Sequence, residues 1–121
     1  MTKTEFAEEF KLRTKIFALR CLKLFQGLPK DSASQIIGKQ LFRSSSSVAA
    51  NYRAVCRARS NAEFYAKLSV VVEEADETVF WLEMIIEGNI LPKEKIESLH
   101  NEAIEILSIL SASRKTMKQS K

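Results

Sequence analysis

Apolar side chains recur every three or four residues along most of this chain, which is the spacing that places them on one face of an α-helix. Four such segments follow one another, separated by short connections with helix-capping and helix-ending residues. No stretch alternates between apolar and polar residues with a period of two for long, so we expect no β-sheet. The pattern predicts helices over residues 4–26, 32–57, 61–87 and 92–118.

The ends of the predicted helices carry recognisable signals. Ser32 to Gln35 and Ser60 to Glu63 have the form of capping boxes, in which two side chains satisfy free backbone amides at a helix start. Gly88 and Asn89 form a helix-stop signal. Because the connections are short, neighbouring helices should run antiparallel. The 121 residues are enough for one core, so we predict a single all-α domain, an up-down-up-down four-helix bundle over residues 1–121.

The second helix contains an unusual run of small residues. Four consecutive serines, Ser44 to Ser47, would suggest a linker, but no glycine or proline accompanies them and helix-forming sequence lies on both sides. Small side chains allow another helix to approach closely. Asn51 lies between Val48 and Val55 on the predicted seam, where a buried asparagine must find partners and would fix the register of the helices.

Charge is unevenly distributed along the chain, whose net charge is +4. Residues 30–60 carry six basic and one acidic side chain, whereas residues 61–88 carry one basic and seven acidic side chains. If helices two and three form a hairpin, Arg43 lies beside Glu74 and Glu77. We expect an ion pair there, worth about 0–1 kcal/mol and important for orientation more than for stability.

The arginines close to the turn of this hairpin have fewer acidic neighbours. Arg53, Arg57 and Arg59 are therefore candidates for binding nucleic-acid phosphates, to which guanidinium groups donate paired hydrogen bonds. Phosphate contacts would give little sequence specificity. Ordinary solvated charge remains the alternative. Basic residues of helix one that could extend the patch are Arg13, Lys15, Arg20 and Lys23.

Aromatic and cysteine side chains are interpreted as structural. Tyr52, Tyr65 and Trp81 could stack on bases, but aromatics at helical spacing more often belong to a core or an interface. Trp81 is accordingly assigned a structural role. Cys21 and Cys56 lie in amphipathic patterns, and we predict two reduced, buried thiols.

The chain lacks a recognisable catalytic set. The paired carboxylates of residues 73–77 are not accompanied by the Glu-x-x-His motif of a di-metal bundle, and the single histidine, His100, is expected to be exposed. No serine has a plausible base nearby. We therefore predict no enzyme activity, no catalytic residue, no metal and no cofactor. The absence of a signal-peptide apolar region and of a membrane-length apolar run predicts a cytoplasmic protein without membrane contact.

Two helices are apolar on more than one face. Such excess apolar surface is typical of an interface, and a well-covered monomer core is the alternative. The residues in question are Phe6, Phe10, Leu12, Ile16, Phe17 and Leu19 in helix one, with Val70, Val71, Val72, Val79, Phe80, Trp81 and Leu82 in helix three.

Several ordered motifs across most of the chain resemble a known family. They are Gln40 to Ser44, Ala50 to Arg53, Arg57 to Ser60, Glu63 to Leu68, Glu74 to Thr78 and Trp81 to Glu83. The pattern is similar to the small bacterial four-helix-bundle proteins encoded in intervening sequences of 23S ribosomal RNA genes. The accessory variability determinant of diversity-generating retroelements is a relative in that group.

This resemblance implies a ring-shaped homopentamer with a basic surface that binds nucleic acid. In the retroelement branch it also implies work with a reverse transcriptase. We therefore expect a homo-oligomeric scaffold that binds RNA or DNA with little sequence specificity. The alternative is a protein-interaction adaptor, such as an accessory subunit that docks a reverse transcriptase. The motifs do not choose between the two branches.

Overall fold

Four α-helices form an antiparallel bundle, as the apolar spacing predicts. In this computed structural model, which describes residues 1–119 and the side chains of residues 1–117, the helices are α1 (Lys3–Gln26), α2 (Ser32–Val55), α3 (Asn61–Glu87) and α4 (Lys93–Gln119). No strand occurs within the described residues. None of the described helices combines the length and apolarity that crossing a bilayer requires.

The predicted helix cap at Ser60 is confirmed, because its hydroxyl accepts a hydrogen bond from the Glu63 amide at 3.0 Å. The other half of that predicted box differs, since the Glu63 carboxylate accepts from the Arg59 amide and not from Ser60. The box predicted at Ser32 is wrong by one residue. Asp31 occupies the capping position of α2, where its carboxylate accepts from the Ser34 amide at 3.1 Å. A carboxylate also complements the positive end of the helix dipole, which a serine does not.

The second and third helices pack against each other most extensively. The second helix also lies against α1 and the third against α4, whereas α1 and α4 meet more sparsely. Ser44 and Ser45 are fully buried on α2, so the serine run belongs to the core. The largest fully buried side chains of the described core are Phe17, Leu28, Leu41, Leu68, Leu82, Ile85, Ile96, Ile106 and Leu110.

A buried hydroxyl pair joins α2 to α3. The side-chain oxygens of Ser44 and Thr78 lie 2.9 Å apart and share a hydrogen bond, and both residues are almost completely buried. Asn51, which was predicted to make the contact that fixes register, is only half-buried, and its amide donates to the backbone and side-chain oxygens of Ser47 within α2. Tyr52 occupies the core position instead. The polar contact between the helices therefore lies two turns before the predicted one.

The predicted ion pair between α2 and α3 is confirmed. The Arg43 guanidinium contacts Glu74 at 3.0 Å and also pairs with Glu77. Glu77 in turn accepts a hydrogen bond from the Trp81 indole at 3.1 Å. Arg43, Glu74, Glu77 and Trp81 thus form one network along the outer edge of the two helices, where solvent limits its contribution to stability.

A second ion pair joins α1 to α4. Arg13 binds Glu102 through two hydrogen bonds, of 2.8 Å and 2.7 Å, and approaches Glu105 at 3.0 Å. Hydrogen bonding to Arg13 lowers the pKa of the Glu102 carboxyl below its ordinary value. The same contact raises the pKa of Arg13. The paired geometry is the strongest that arginine and a carboxylate form, so Arg13 is held in a structural contact.

We expect Glu102→Gln to lower the free energy of unfolding by about 1 kcal/mol at neutral pH, because the Arg13 pair is partly screened by solvent. The folded-state pKa of Glu102 is depressed, so its contribution is complete above the ordinary value of 4.5 and is lost as the pH falls through the folded value. Urea unfolding followed by circular dichroism should show the difference from wild type shrinking in acid. The control is Glu97→Gln, which removes an exposed carboxylate on the same helix. A difference independent of pH would contradict the assignment.

Candidate nucleic-acid interface

Three arginines cluster where α2 ends and α3 begins. Arg53 lies in the last turn of α2, and Arg57 and Arg59 lie in the connection. All three are exposed. Among the described side chains, neither Arg53 nor Arg57 has a carboxylate within ion-pair distance, and Arg59 only approaches Glu63 at 4.0 Å, with its side chain 89% exposed. We call these three residues the arginine cluster.

The backbone of the connection explains how the cluster is presented. The amides of Arg57 and Ala58 donate to the carbonyls of Ala54 and Val55 at 3.0 Å and 3.1 Å, in the tighter pattern that ends many α-helices. The regular helix therefore stops at Val55, two residues before the predicted end. Ser60 then caps α3, so Arg57 and Arg59 project from a short bend at the end of the bundle.

The basic residues predicted on helix one are not part of this cluster. Arg13 is paired with Glu102, and Arg20 donates to the Ser98 hydroxyl at 3.1 Å beside the acidic side chains of α4. Lys23 lies exposed in the last turn of α1, at the opposite end of the bundle because α1 and α2 are antiparallel. The structure thus brings together Arg53, Arg57 and Arg59 and leaves Arg13, Arg20 and Lys23 elsewhere, whereas Lys15 borders a groove between α1 and α2 that Arg53 also lines.

Residues that the sequence did not point to complete the surroundings of the cluster. Lys67 of α3 shares a shallow cavity of about 270 Å³ with Arg57 and Arg59. On the other side, a larger cavity of about 730 Å³ lies between the start of α1 and the end of α2, and both Arg53 and Arg57 line it. Lys3 lies at this same end of the bundle and lines the larger cavity, because α1 begins where the antiparallel α2 ends. No local sequence motif indicates that Lys3 lies close to the arginines.

Burial differs among Tyr52 and the two cysteines. Tyr52 is buried and its ring meets that of Phe10 edge-on at 4.9 Å, so its interpretation as a core residue is confirmed; burial also raises its pKa. Cys21 is buried as predicted, which raises the pKa of its thiol to about 12. Cys56 is exposed, so that prediction is wrong, because the helix ends one residue before it.

His100 differs from the sequence expectation. It is half-buried, not exposed, and its Nε2 atom is enclosed without a hydrogen-bond partner among the described residues. No group of three or more His, Cys, Asp or Glu side chains is placed to hold a metal ion within the part of the chain that the structure describes. The expectations of no metal, no cofactor and no enzyme activity stay predictions.

Comparisons with known proteins agree with this architecture. The family model of the 23S rRNA-intervening sequence protein matches residues 9–112. A solved structure of a protein with unknown function, from the S23 ribosomal protein family of Bacteroides thetaiotaomicron VPI-5482, is 33% identical. That match covers 90% of this chain and 97% of the other, with a TM-score of 0.81. The curated proteins include no significant match.

The relation to the retroelement accessory protein is not addressed by these comparisons and stays a prediction. The family match spans nearly all of the four helices, and the solved relative shares their arrangement over almost its whole length. The chain belongs to the family of 23S rRNA-intervening sequence proteins.

Proposed function

We propose that this protein is a non-enzymatic, homo-oligomeric scaffold that binds RNA or DNA through the arginine cluster with little sequence specificity. The observation that carries the proposal is a contrast among its arginines. Arg43 and Arg13 are each held by two carboxylates of a neighbouring helix. Arg53 and Arg57 have no such partner among the described residues, so their donors remain available for an external anion.

Phosphate is the anion that best fits this arrangement. Guanidinium groups bind phosphate oxygens through two parallel hydrogen bonds, and several on one bend can follow a nucleic-acid backbone. Lys67 lies in the cavity beside Arg57 and Arg59 but pairs with Glu63 at 3.9 Å, so the positive charge available to a phosphate comes mainly from the arginines. Contacts of this kind set affinity and its salt dependence but read no sequence, which supports low specificity.

Exposed apolar side chains support self-association. On α1, Leu12 and Leu19 are each about half exposed and border a groove of about 520 Å³ between α1 and α2, and Ile16, which does not line the groove, is exposed to a similar degree. On α3, Val70 and Phe80 are exposed to a similar degree. A soluble chain gains by covering surfaces of this kind.

The two apolar surfaces carry opposite charge, which favours pairing one with the other. Lys15 and Arg53 border the α1–α2 groove, where Glu8 and Lys11 pair with each other. Exposed acidic residues of α3, including Glu73 and Asp76, flank the apolar side chains of α3. Contact between two different surfaces is heterologous and produces a ring when the rotation closes. The number of five subunits comes from the family resemblance. A ring would repeat the arginine cluster and strengthen weak single contacts through multivalency.

A second candidate function is an adaptor for another protein. The α1–α2 groove has a floor of small residues, including Ala49 and Ala50, that a partner side chain or helix could approach closely. In this case the groove docks a protein such as a reverse transcriptase, and the arginine cluster is secondary. A chain that stays monomeric and binds no nucleic acid would favour this function.

We expect the triple variant Arg53→Gln, Arg57→Gln and Arg59→Gln to bind a labelled single strand about tenfold more weakly and to reduce the salt dependence of binding by about two released ions. The measurement is fluorescence anisotropy between about 50 and 200 mM salt. The matched control changes three exposed lysines at the other end of the bundle, Lys23, Lys30 and Lys39, to glutamine.

The control variant has the same net charge as the arginine variant. Equal loss of affinity in both variants would show that net charge alone governs binding, and the arginine cluster would not be the site. If the wild-type protein binds neither strand nor duplex at the lowest salt, the nucleic-acid function is wrong.

For self-association, we expect Leu12→Ser with Leu19→Ser to shift the protein towards the 13.7 kDa monomer without lowering its helix content, because both side chains line the groove and are exposed in the single chain. Sedimentation velocity gives the mass. The control is Ile36→Ser, an equally exposed apolar side chain on α2 that does not line the groove and should leave assembly intact. A monomeric wild type would refute self-association.

A further inference from the structure

We propose that the large cavity beside the arginine cluster is a nucleobase site, so that the nucleic acid bound here is single-stranded and inserts an unpaired base. We call this cavity the base cleft. Its volume of about 730 Å³ lies within the range of small-molecule sites. The inference rests on the proposed function, and it adds a ligand class that phosphate contacts alone do not define.

Three aromatic side chains line the base cleft. Phe6 from the start of α1 and Phe64 from the start of α3 line it, together with Tyr52 near the end of α2. Three separate helices therefore contribute rings to one concave surface. Base–aromatic stacking tolerates any sequence because every base has a π-face, which agrees with low specificity.

Phe6 is held in place before any ligand arrives. Its ring lies parallel to that of Phe10, with centroids 5.6 Å apart, and Phe10 is fixed in turn by the edge of Tyr52. Even so, 39% of Phe6 remains exposed, although Phe10 and Tyr52 are buried. An exposed ring that is braced from behind loses little conformational freedom when it stacks on a ligand.

The charge around the base cleft selects an anionic ligand. Arg53, Arg57 and Lys3 line it, and none of them has a carboxylate within ion-pair distance among the described residues. The acidic side chain present, Glu8, is already paired with Lys11 at 2.8 Å. Aromatic walls with unpaired cations at the rim are the combination by which proteins hold single strands, where bases stack and phosphates pair.

A duplex suits this site poorly. Its bases are stacked on one another and would have to be extruded before entering the base cleft, which costs free energy. A purely apolar occupant, such as a side chain from a second copy of this chain, would leave Arg53, Arg57 and Lys3 without anionic partners. The single strand is therefore the occupant that uses both the rings and the cations.

The test compares two strands that carry the same phosphates. One is an oligothymidylate, and the other is an abasic strand of equal length. We expect the wild-type protein to bind oligothymidylate about tenfold more tightly in fluorescence anisotropy, within the range for one base–aromatic stack. In Phe6→Leu and Phe64→Leu, which keep an apolar side chain but remove the ring, this ratio should fall towards one.

The matched control is Phe80→Leu. Phe80 is exposed to a similar degree, 47%, but it lies on α3 roughly 24 Å along the helix axis from Phe64. It should leave the ratio between the two strands unchanged, even if it alters assembly and therefore both affinities together. A second measurement, photocrosslinking of a strand that carries iodouracil, should place the adduct on peptides containing Phe6 or Phe64.

The outcomes separate this inference from the proposed function. If both strands bind the wild type equally, the base cleft holds no base, while phosphate binding by the arginine cluster stands. If neither strand binds at low salt, the proposed function fails as well. Loss of discrimination in Phe80→Leu to the same extent as in Phe6→Leu, or crosslinks only outside the base cleft, would also overturn the inference.

Discussion

The close packing of α2 between α1 and α3 is the constraint on which the rest of this structure depends. Ser44 and Ser45 are fully buried there, and larger side chains would hold the helices apart. The Ser44 and Thr78 hydroxyls each lie within hydrogen-bond distance of a carbonyl of their own helix, so neither is buried without a partner, and their contact with each other favours one register. With that register set, the end of α2 and the start of α3 must meet, and the arginines between them are carried to the end of the bundle.

Charge pairing then decides which basic residues remain available. Arg43 and Arg13 lie along the sides of the bundle, where α3 and α4 present carboxylates at matching heights. Arg53 and Arg57 lie close to the bend, beyond most of those carboxylates. The same division of acidic and basic residues along the chain therefore produces structural ion pairs in the middle of the bundle and an unpaired basic surface at its end.

The sequence predicts the local and antiparallel features of this molecule well. The four helices and the Arg43 pair with Glu74 follow from apolar spacing and from folding the chain back on itself. The prediction that Asn51 lies on the buried seam of α2 is wrong by one residue. Successive residues of an α-helix differ in direction by about 100°, so Asn51 lies at the edge of the buried face. Tyr52 takes the core position as a result.

Contacts between helices that are far apart in the sequence cannot be predicted from the sequence alone, for a different reason. The pairing of Arg13 with Glu102 depends on how the first hairpin lies against α4, which neither helix specifies alone. The base cleft has the same origin, since Phe6 and Phe64 approach only when the starts of α1 and α3 reach the same end of the bundle. The arginine cluster, in contrast, could be predicted from the sequence, because its three residues are close together along the chain.

The network at Trp81 has a practical consequence. This is the single tryptophan in the sequence, half-buried on α3, and its indole nitrogen is bonded to the carboxylate that Arg43 also holds. Separation of α2 from α3 removes Arg43 from that carboxylate and changes the solvation of the ring at once. The intrinsic fluorescence of Trp81 therefore reports whether α2 and α3 are packed together. It needs no added label, and its tryptophan signal comes from one position.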